Sequence, residues 1–325
     1  MKKINGLTIF FILVLLGVII GPLIIPIPPL LDILPVEELV YPDSQFKNID
    51  GINIHYQAID LDQNNLLILL HGFGSSSYSW NKVMEPLAMH GTVIAFDRPA
   101  FGLTERVIPF EDVDFNPYTL EFQPTIVLDF IQDNKPNRTI LVGNSAGGTV
   151  ALKTVLEHPG EIDALILVSP AVYGSGGAPK WIRPLLNIPH FNRLGPVFVR
   201  SIRERGLELL KLAWFNPEQI SEVDLENYQK PLSIDNWDRA LWEFTKANGE
   251  NDVQSRLSEI TIPVLVISGE YDQIIPKEQS IQLASELPNA DLVLIPNCGH
   301  VPQEECQDLF LNAIDSFLSK YETQN

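Results

Sequence analysis

Three residues that together could hydrolyse acyl bonds stand at well-defined places in this chain. Ser145 is the centre of Gly143-Asn144-Ser145-Ala146-Gly147, a G-x-S-x-G pentapeptide typical of a strand–turn–helix nucleophile elbow. A serine hydroxyl is a weak nucleophile, so it needs a neighbouring base, and that base needs an orienting carboxylate. Asp272 and His300 follow in the chain order serine, acid, histidine. The three predict attack on a carbonyl through an acyl intermediate, a chemistry that requires neither a metal nor a cofactor.

Each of these residues follows a short apolar run of the kind that forms a buried strand. The runs that precede the serine, the acid and the histidine are Thr139 to Val142, Val264 to Ser268 and Leu292 to Ile295. Ligands bind outside the carboxyl ends of the strands in open α/β sheets, and those ends share one edge. We therefore expect the three side chains to meet at that edge.

Other residues compete for two of these roles. Glu270 is an alternative acid two residues before Asp272, and we favour Asp272 because of the loop geometry expected after that strand. None of the other five histidines follows the last predicted strand; they are His55, His71, His90, His158 and His190.

Two backbone N–H groups are predicted to form an oxyanion hole. His71-Gly72-Phe73-Gly74 follows the apolar run Leu66 to Leu70, and the loop after that strand supplies one donor in this topology. The residue after the nucleophile supplies the other donor. We therefore expect the N–H groups of Phe73 and Ala146 to stabilise the oxyanion, and His71 to brace the loop through hydrogen bonds.

The order of elements predicts an α/β fold with a doubly wound, mostly parallel sheet. Residues 47–56 predict a hairpin that turns at Asp50-Gly51. Further apolar runs, at Thr92 to Phe96 and Ala164 to Val168, extend the set of strands given above. The predicted helices are Trp80 to Met89, Leu120 to Asp133, Ala146 to Glu157, Glu278 to Leu287 and Glu304 to Ser319.

The alternation stops between Val172 and Ser258, a stretch that holds four of the five tryptophans. This stretch predicts a helical cap over the carboxyl ends of the strands. The predicted organisation is a membrane anchor over residues 1–30, a tether over 31–45, a catalytic core over 46–171 and 259–325, and a cap over 172–258.

The N-terminal segment predicts a transmembrane helix. No charged residue lies between Lys3 and Asp32, and the apolar stretch from Leu7 to Ile25 is long enough to cross a bilayer. A cleaved signal peptide is the alternative, but it would have a shorter apolar region and a small-residue cleavage site. Lys2 and Lys3 precede the span, so we expect a single-pass protein with a cytoplasmic N-terminus and an extracytoplasmic catalytic domain.

Composition narrows the possible partners. The 325 residues include 41 acidic and 22 basic side chains, for a formal net charge of −19, which argues against nucleic-acid binding. The hydrophobic share of 45% supports a sizeable core.

Cys298 and Cys306 do not make a disulfide framework, and we expect them to be unbridged, with Cys298 packed beside the loop of His300.

Taken together, these motifs resemble those of α/β-hydrolase-fold serine hydrolases, in the family's order from Phe46 to the C-terminus. The matching segments are His71 to Gly74, Asp97 to Thr104, Gly143 to Gly148, Gly269 to Asp272 and Asn297 to His300. Ala100 and Thr104 depart mildly from the family's usual loop. The anchor joined to this core is more weakly similar to membrane-anchored monoacylglycerol lipases.

The resemblance implies an esterase or lipase-like enzyme that acts on a small apolar ester. One alternative is carbon–carbon bond hydrolysis of vinylogous diketones, since those enzymes share the fold, the triad and Gly-Asn-Ser at the elbow. A second alternative is a non-catalytic binding protein on the same fold. Such proteins usually lose a member of the triad, whereas Ser145, Asp272 and His300 are all present here.

Overall fold

A computed structural model of the protein describes residues 5–61, 64–108, 115–174, 181–249 and 251–322, with side chains as far as Lys320. The strands are β1 Gln45–Ile49, β2 Ile52–Ile59, β3 Asn65–Leu70, β4 Thr92–Phe96, β5 Arg138–Asn144, β6 Ala164–Val168, β7 Val264–Gly269 and β8 Ala290–Ile295. The α-helices are α1 Gly6–Ile24, α2 Met84–Leu87, α3 Gln123–Asn134, α4 Ala146–Glu157, α5 Arg183–Leu186, α6 Pro189–Val199, α7 Ile202–Ala213, α8 Glu222–Gln229, α9 Trp237–Ala247, α10 Lys277–Glu286, α11 Pro302–Glu305 and α12 Gln307–Glu322. Short 3-10 helices are Val36–Glu38, Ser77–Trp80, Pro217–Gln219, Lys230–Ser233 and Gln254–Glu259.

These strands form one sheet in the order β1-β2-β4-β3-β5-β6-β7-β8. β2 pairs antiparallel with β1 and β4, and the remaining pairs are parallel. The hairpin turns at Asp50 and Gly51, whose φ values of 49° and 86° suit a tight turn between twisted strands. The predicted doubly wound sheet led by an antiparallel hairpin is confirmed.

Both faces of the sheet are covered because successive side chains of a strand point to opposite sides. In β3, Leu66, Ile68 and Leu70 pack with α3, α4 and α10, whereas Leu67 and Leu69 pack with α2 and α12. This two-sided burial explains why the strands read as continuous apolar runs in the sequence.

Two predicted helices are interrupted in the structure. The segment from Trp80 to Met89 is a 3-10 turn followed by the short α2, because Pro86 lacks an N–H and its ring excludes a preceding helical turn. The segment from Glu304 to Ser319 is divided between α11 and α12 at Cys306, whose backbone leaves the helical region with φ −128° and ψ 45°.

The insertion, by which we mean residues 172–258, contains α5 to α9 among its described residues. Its helix α9 packs on the loops of the sheet, where Trp237, Leu241 and Phe244 join Phe101 and Tyr118 in one apolar cluster. The insertion therefore has its own contact with the carboxyl edge of the sheet. The domain boundaries given above stay a prediction.

The described N-terminal residues form one helix, α1, that is long and apolar enough to cross a membrane, as an anchor or a signal sequence would be. None of its residues is buried against the rest of the protein. Lys2 and Lys3, on which the expected orientation depends, lie outside the described residues.

The segment after α1 lies along the insertion. The backbone N–H of Leu34 donates to the carbonyl of Ser233 over 2.9 Å, and the Arg200 guanidinium donates to the carbonyl of Pro28 over 2.7 Å. Leu30 and Ile33 pack against the cluster around α9. The chain between α1 and β1 is thus attached to the insertion at several points.

The expectation for the cysteines is wrong, because Cys298 and Cys306 form a disulfide. Their Cα atoms are 6.3 Å apart, since the chain after His300 turns back through α11 toward the loop that precedes it. Sequence spacing alone does not reveal this return of the chain. The bridge closes the loop that carries His300.

Candidate active site

Ser145 occupies the strained turn between β5 and α4. Its φ of 52° and ψ of −118° are costly for a residue with a side chain, and such strain persists only when the surroundings hold it. The Ser145 N–H donates to the Val168 carbonyl over 2.9 Å, and its own carbonyl accepts from Gly148 and Ala171. Neighbouring backbone therefore fixes the turn that carries Ser145.

Steric contacts require glycine at the first and last positions of the pentapeptide. A Cβ on Gly143 would lie 2.6 Å from the carbonyl oxygen of Gly147. A Cβ on Gly147 would lie 2.0 Å from the carbonyl oxygen of Leu70 at the end of β3. Both contacts are with backbone atoms that cannot rotate away, so only glycine fits at either position.

Asp272 and His300 are brought together from the ends of β7 and β8. The Asp272 Oδ2 atom lies 2.8 Å from the His300 Nδ1 atom, and both residues are buried. The other carboxylate oxygen, Oδ1, accepts the backbone N–H groups of Ile274 and Ile275, each over 2.8 Å. The carboxylate is therefore held by three hydrogen bonds and orients the imidazole. Glu270, the rival acid, is exposed.

His300 and Ser145 line the same cavity, which has a volume of about 220 Å³. Its walls come from the loops at the carboxyl edge of the sheet and from α7 and α9 of the insertion. Most of the lining side chains are apolar, including Ile202, Leu210 and Leu241. The predicted serine and base thus line one mostly apolar cavity beneath the insertion.

The predicted oxyanion donors flank the serine. A Cβ on Gly72 would lie 3.2 Å from the Ser145 Cβ, so the loop that carries Phe73 passes directly beside the nucleophile. Phe73 also lines the cavity. Ala146 is the first residue of α4, and the first N–H groups of a helix have no acceptor within it. Both N–H groups therefore belong to backbone next to Ser145.

The contacts of His71 show that its side chain supports the neighbouring loops. Its Nδ1 lies 2.8 Å from the Gly72 carbonyl, and its Nε2 accepts the Arg98 N–H over 3.0 Å. Burial, together with the nearby Arg98 guanidinium, lowers the pKa of His71 to about 3. The ring is therefore neutral at physiological pH, and both of its nitrogens hydrogen-bond to loop backbone, at Gly72 and at Arg98.

Sequence reasoning missed two residues that hold His300 in place. The Asn144 Nδ2 group donates to the His300 carbonyl and to the Val168 carbonyl, each over 3.2 Å. Glu305 accepts the Gly299 N–H over 2.8 Å and the Asn216 N–H over 2.7 Å. Glu305 thereby joins the histidine loop to the insertion. Asn144 was visible as the second residue of the pentapeptide, but Glu305 had no sequence signal.

A hydrogen-bonded set of serine, histidine and aspartate side chains lies outside the cavity. Ser44 Oγ lies 2.7 Å from His55 Nε2, and His55 Nδ1 lies 2.7 Å from Asp97 Oδ2. Asp97 also accepts the N–H groups of Ser77 and Leu103, each over 2.6 Å. Burial raises the pKa of Asp97, but His55 and these donors outweigh it and hold that pKa below its ordinary value. Ser44 is not among the described residues that line the cavity.

A buried acid lies beneath the cavity wall. The Tyr228 hydroxyl, on a residue that lines the cavity, donates to Glu304 Oε1 over 2.6 Å. Burial raises the pKa of Glu304 to about 8, opposed by the Tyr228 hydrogen bond and by Lys82. Asp224 and Glu305 are the other acids that act on this carboxyl group. Burial therefore favours the neutral form of Glu304.

Among the described residues, the group with suitable spacing for a metal is Cys298, Glu305 and Cys306. Both sulfur atoms belong to the disulfide, so neither is available as a thiolate ligand. The Glu305 carboxylate is also engaged with backbone N–H groups. This cluster does not suit a metal while the bridge is intact.

A family model described as "alpha/beta hydrolase fold" matches residues 65–306. The chain belongs to the α/β-hydrolase family. It is therefore a hydrolase of this fold, and the family implies a small-molecule substrate. The matched range begins at β3 and includes Ser145, Asp272 and His300 together with the insertion. The fold expected from the motifs is confirmed.

Curated relatives in this family differ in the bond that they break. A pimeloyl-[acyl-carrier protein] methyl ester esterase of Pectobacterium atrosepticum is 29% identical over 78% of this chain and 94% of its own length. A 2-hydroxy-6-oxo-6-(2'-aminophenyl)hexa-2,4-dienoic acid hydrolase of Metapseudomonas resinovorans is 28% identical over 85% of this chain and 91% of its own. Among solved structures, an epoxide hydrolase, CorEH, superimposes with a TM-score of 0.67 at 20% identity, covering 86% of this chain and 99% of its own; it supports the fold alone.

Proposed function

We propose that this hydrolase cleaves carboxylic esters through an acyl-enzyme on Ser145. The observation that carries the proposal is the hydrogen-bonded pair of His300 and Asp272 at the cavity that Ser145 lines. A serine in a strained turn that lines the same cavity as an oriented imidazole is the arrangement that acyl transfer requires.

In the first half of the reaction, Ser145 Oγ attacks the ester carbonyl carbon while His300 Nε2 takes the hydroxyl proton. The carbonyl oxygen becomes an oxyanion that accepts hydrogen bonds from the N–H groups of Phe73 and Ala146. Asp272 keeps the Nδ1 proton of the imidazolium in place. The tetrahedral intermediate then collapses, His300 gives its proton to the departing alkoxide, and an alcohol leaves.

In the second half, a water molecule attacks the acyl-enzyme carbonyl. His300 takes a proton from that water, the same two N–H groups stabilise the second oxyanion, and the bond to Ser145 Oγ breaks. His300 returns the proton to Ser145, and the carboxylic acid is released. The enzyme is restored without any other reactant.

The cavity favours a neutral, apolar acyl group. Arg106 and Arg203, the cationic side chains among the described lining residues, donate to backbone carbonyls of the protein itself. Arg106 donates to the carbonyls of Phe101, Gly102 and Thr104, and Arg203 donates to the Leu232 carbonyl over 2.7 Å. We infer that a fatty-acyl ester, such as a monoacylglycerol, suits these walls, with residues 172–258 as the cap.

Carbon–carbon bond hydrolysis is the second candidate, because the Metapseudomonas relative is named for a dienoic acid substrate. Asn144 beside the nucleophile is the residue of Gly-Asn-Ser that such enzymes share. A dienoate carries a carboxylate that needs a cation, and the engagement of Arg106 and Arg203 by the protein favours the ester.

The membrane helix and the disulfide support an extracytoplasmic enzyme. We propose that α1 is an uncleaved anchor with its N-terminus in the cytoplasm and the catalytic domain on the other side. Disulfides persist in oxidising compartments, so the Cys298–Cys306 bridge agrees with that side. N-terminal sequencing of the mature protein separates an anchor from a cleaved signal peptide.

A substrate panel tests the proposal. It contains p-nitrophenyl acetate, a long-chain p-nitrophenyl ester, a monoacylglycerol and a 2-hydroxy-6-oxo-dienoate, each with Ser145→Ala as the blank. We expect turnover of the esters, faster for the longer acyl chain, and none for the blank. Turnover of the dienoate alone would favour the second candidate, and ester turnover by Ser145→Ala would contradict the mechanism.

A further inference from the structure

The insertion carries an exposed apolar surface next to α1. We define the α5–α6 surface as Trp181, Leu185, Ile188, Phe191 and Phe198, whose exposed fractions range from 38% to 77%. Large apolar side chains exposed together on a soluble domain mark a site of interaction with a partner or a lipid surface.

The position of α1 indicates that a lipid surface covers these side chains. The His190 imidazole, in α6, hydrogen-bonds to the carbonyl of Ile19 over 2.5 Å, and the Arg193 guanidinium donates to the carbonyl of Ile25 over 3.1 Å. Ile19 lies five residues before the end of α1, or roughly 7–8 Å along a helix that rises about 1.5 Å per residue. If α1 crosses a bilayer, the first turns of α6 therefore lie at the depth of its interface.

The charge of the segment agrees with that location. Residues 181–203 contain four arginines and no aspartate or glutamate, in a chain with a net charge of −19. Two of the four pair with acids outside the segment, Arg200 with Asp238 and Arg203 with Asp32. An anionic lipid surface would repel the acidic domain as a whole, whereas this segment adds no acidic side chain of its own. Tryptophan is enriched at membrane interfaces, and Trp181 is 77% exposed.

We propose that the α5–α6 surface lies in the interface of the bilayer that α1 crosses, so that the insertion is a second membrane contact. The proposal rests on the anchor role of α1 given above. Because α7 directly follows α6 and lines the cavity, substrate would pass from the lipid to Ser145 along the insertion. The enzyme would therefore take its ester from the membrane rather than from solution.

Trp181 is a native probe for this contact. The other four tryptophans, Trp80, Trp214, Trp237 and Trp242, are at most 6% exposed. The full chain is reconstituted into vesicles of phosphatidylglycerol and phosphatidylcholine, with bromine near the carbonyl end or near the methyl end of the acyl chains. We expect bromine near the carbonyl end to quench the wild type more strongly, and Trp181→Phe to abolish that difference.

Flotation of the same vesicles separates the two proposals. If the chain floats and Trp181→Phe is quenched as much as the wild type, the α5–α6 surface does not touch lipid and the inference is overturned while the anchor stands. If carbonate at high pH releases the chain, the anchor fails and the inference with it. A Trp181 emission that is blue-shifted in detergent and indifferent to bromine would show burial between two copies of the chain, which also overturns the proposal.

A charge placed on the surface supplies a functional test. Phe198→Glu should slow hydrolysis of a monoacylglycerol held in vesicles about tenfold, because an apolar side chain that contacts lipid is replaced by a charge at the interface. The same variant should leave hydrolysis of dissolved p-nitrophenyl acetate unchanged. Met89→Glu, at a residue 78% exposed outside the surface, is the matched control and should change neither rate. Equal vesicle rates for both variants would contradict the proposal.

Discussion

The hydrogen bonds of the site predict a specific outcome for the substitution Asp272→Asn. Asp272 Oδ1 accepts two backbone N–H groups, from Ile274 and Ile275, each over 2.8 Å. An asparagine can accept these donors only through its carbonyl oxygen. Its NH2 group then takes the place of Oδ2, which lies 2.8 Å from His300 Nδ1.

An NH2 group beside Nδ1 forces the imidazole into the other tautomer. Nδ1 must accept that hydrogen bond, so the ring proton moves to Nε2, the atom that has to take the proton of Ser145. The flipped asparagine would leave two partly buried N–H groups without acceptors, at a cost of up to about 1–3 kcal/mol each. We therefore expect kcat/KM for p-nitrophenyl acetate to fall by about 10⁴-fold, or about 5 kcal/mol of transition-state stabilisation.

The matched control is Glu270→Gln, which makes the same chemical change in the same loop at an exposed residue. We expect it to retain activity within about twofold, and both variants to melt near the wild-type temperature. Refutation would come from Asp272→Asn with activity within about tenfold of the wild type. A comparable loss in Glu270→Gln would show that the acid has been misassigned.

Three further predictions concern the framework of the site. Gly147→Ala should lose activity and about 3 kcal/mol or more of unfolding free energy, because its Cβ would lie 2.0 Å from a backbone oxygen. Gly174→Ala, with open space around its Cβ, is the control, and an equal loss there in denaturant unfolding would contradict the steric account. Burial raises the pKa of Glu304 from 4.5 to about 8, so the folded state binds that proton more tightly than the unfolded state. The stability that this bound proton gives to the folded state is lost as pH rises from 4.5 to 8. The free energy of unfolding of the wild type, relative to that of Glu304→Gln, should therefore fall by on the order of 4 kcal/mol over that range. A pH-independent difference would exclude this shift. Cys306→Ser should lower the free energy of unfolding by about 2–3 kcal/mol, since the bridge closes a short loop. If a reducing agent leaves the stability of the wild type unchanged, this stabilising role of the disulfide is contradicted.

The sequence was sufficient for the sheet and for the placement of the predicted triad. Parallel strands buried on both faces read as continuous apolar runs, and their order fixes which loops share an edge. Ser145, Asp272 and His300 each follow such a run, so their meeting at that edge followed from topology alone. The two helix errors were local, at Pro86 and at the break beside Cys306.

The contacts that hold these residues in place were beyond the sequence. Glu305 reaches Gly299 and Asn216 only because α11 turns back beside the histidine loop, and the same turn brings Cys298 to Cys306. The chain Ser44–His55–Asp97 joins segments far apart in sequence. Such pairings depend on tertiary distances that no spacing rule encodes.

The measurement that tests the central claim most directly is peptide mapping after reaction with a fluorophosphonate. Among the described residues, Ser44 hydrogen-bonds to the His55–Asp97 pair, whereas Ser145 lines the same cavity as His300 and the predicted oxyanion donor Phe73. We predict a single adduct on Ser145, absent from Ser145→Ala and retained in Ser44→Ala. An adduct on Ser44, or an unmodified Ser145 in folded protein, would contradict the assignment of the nucleophile.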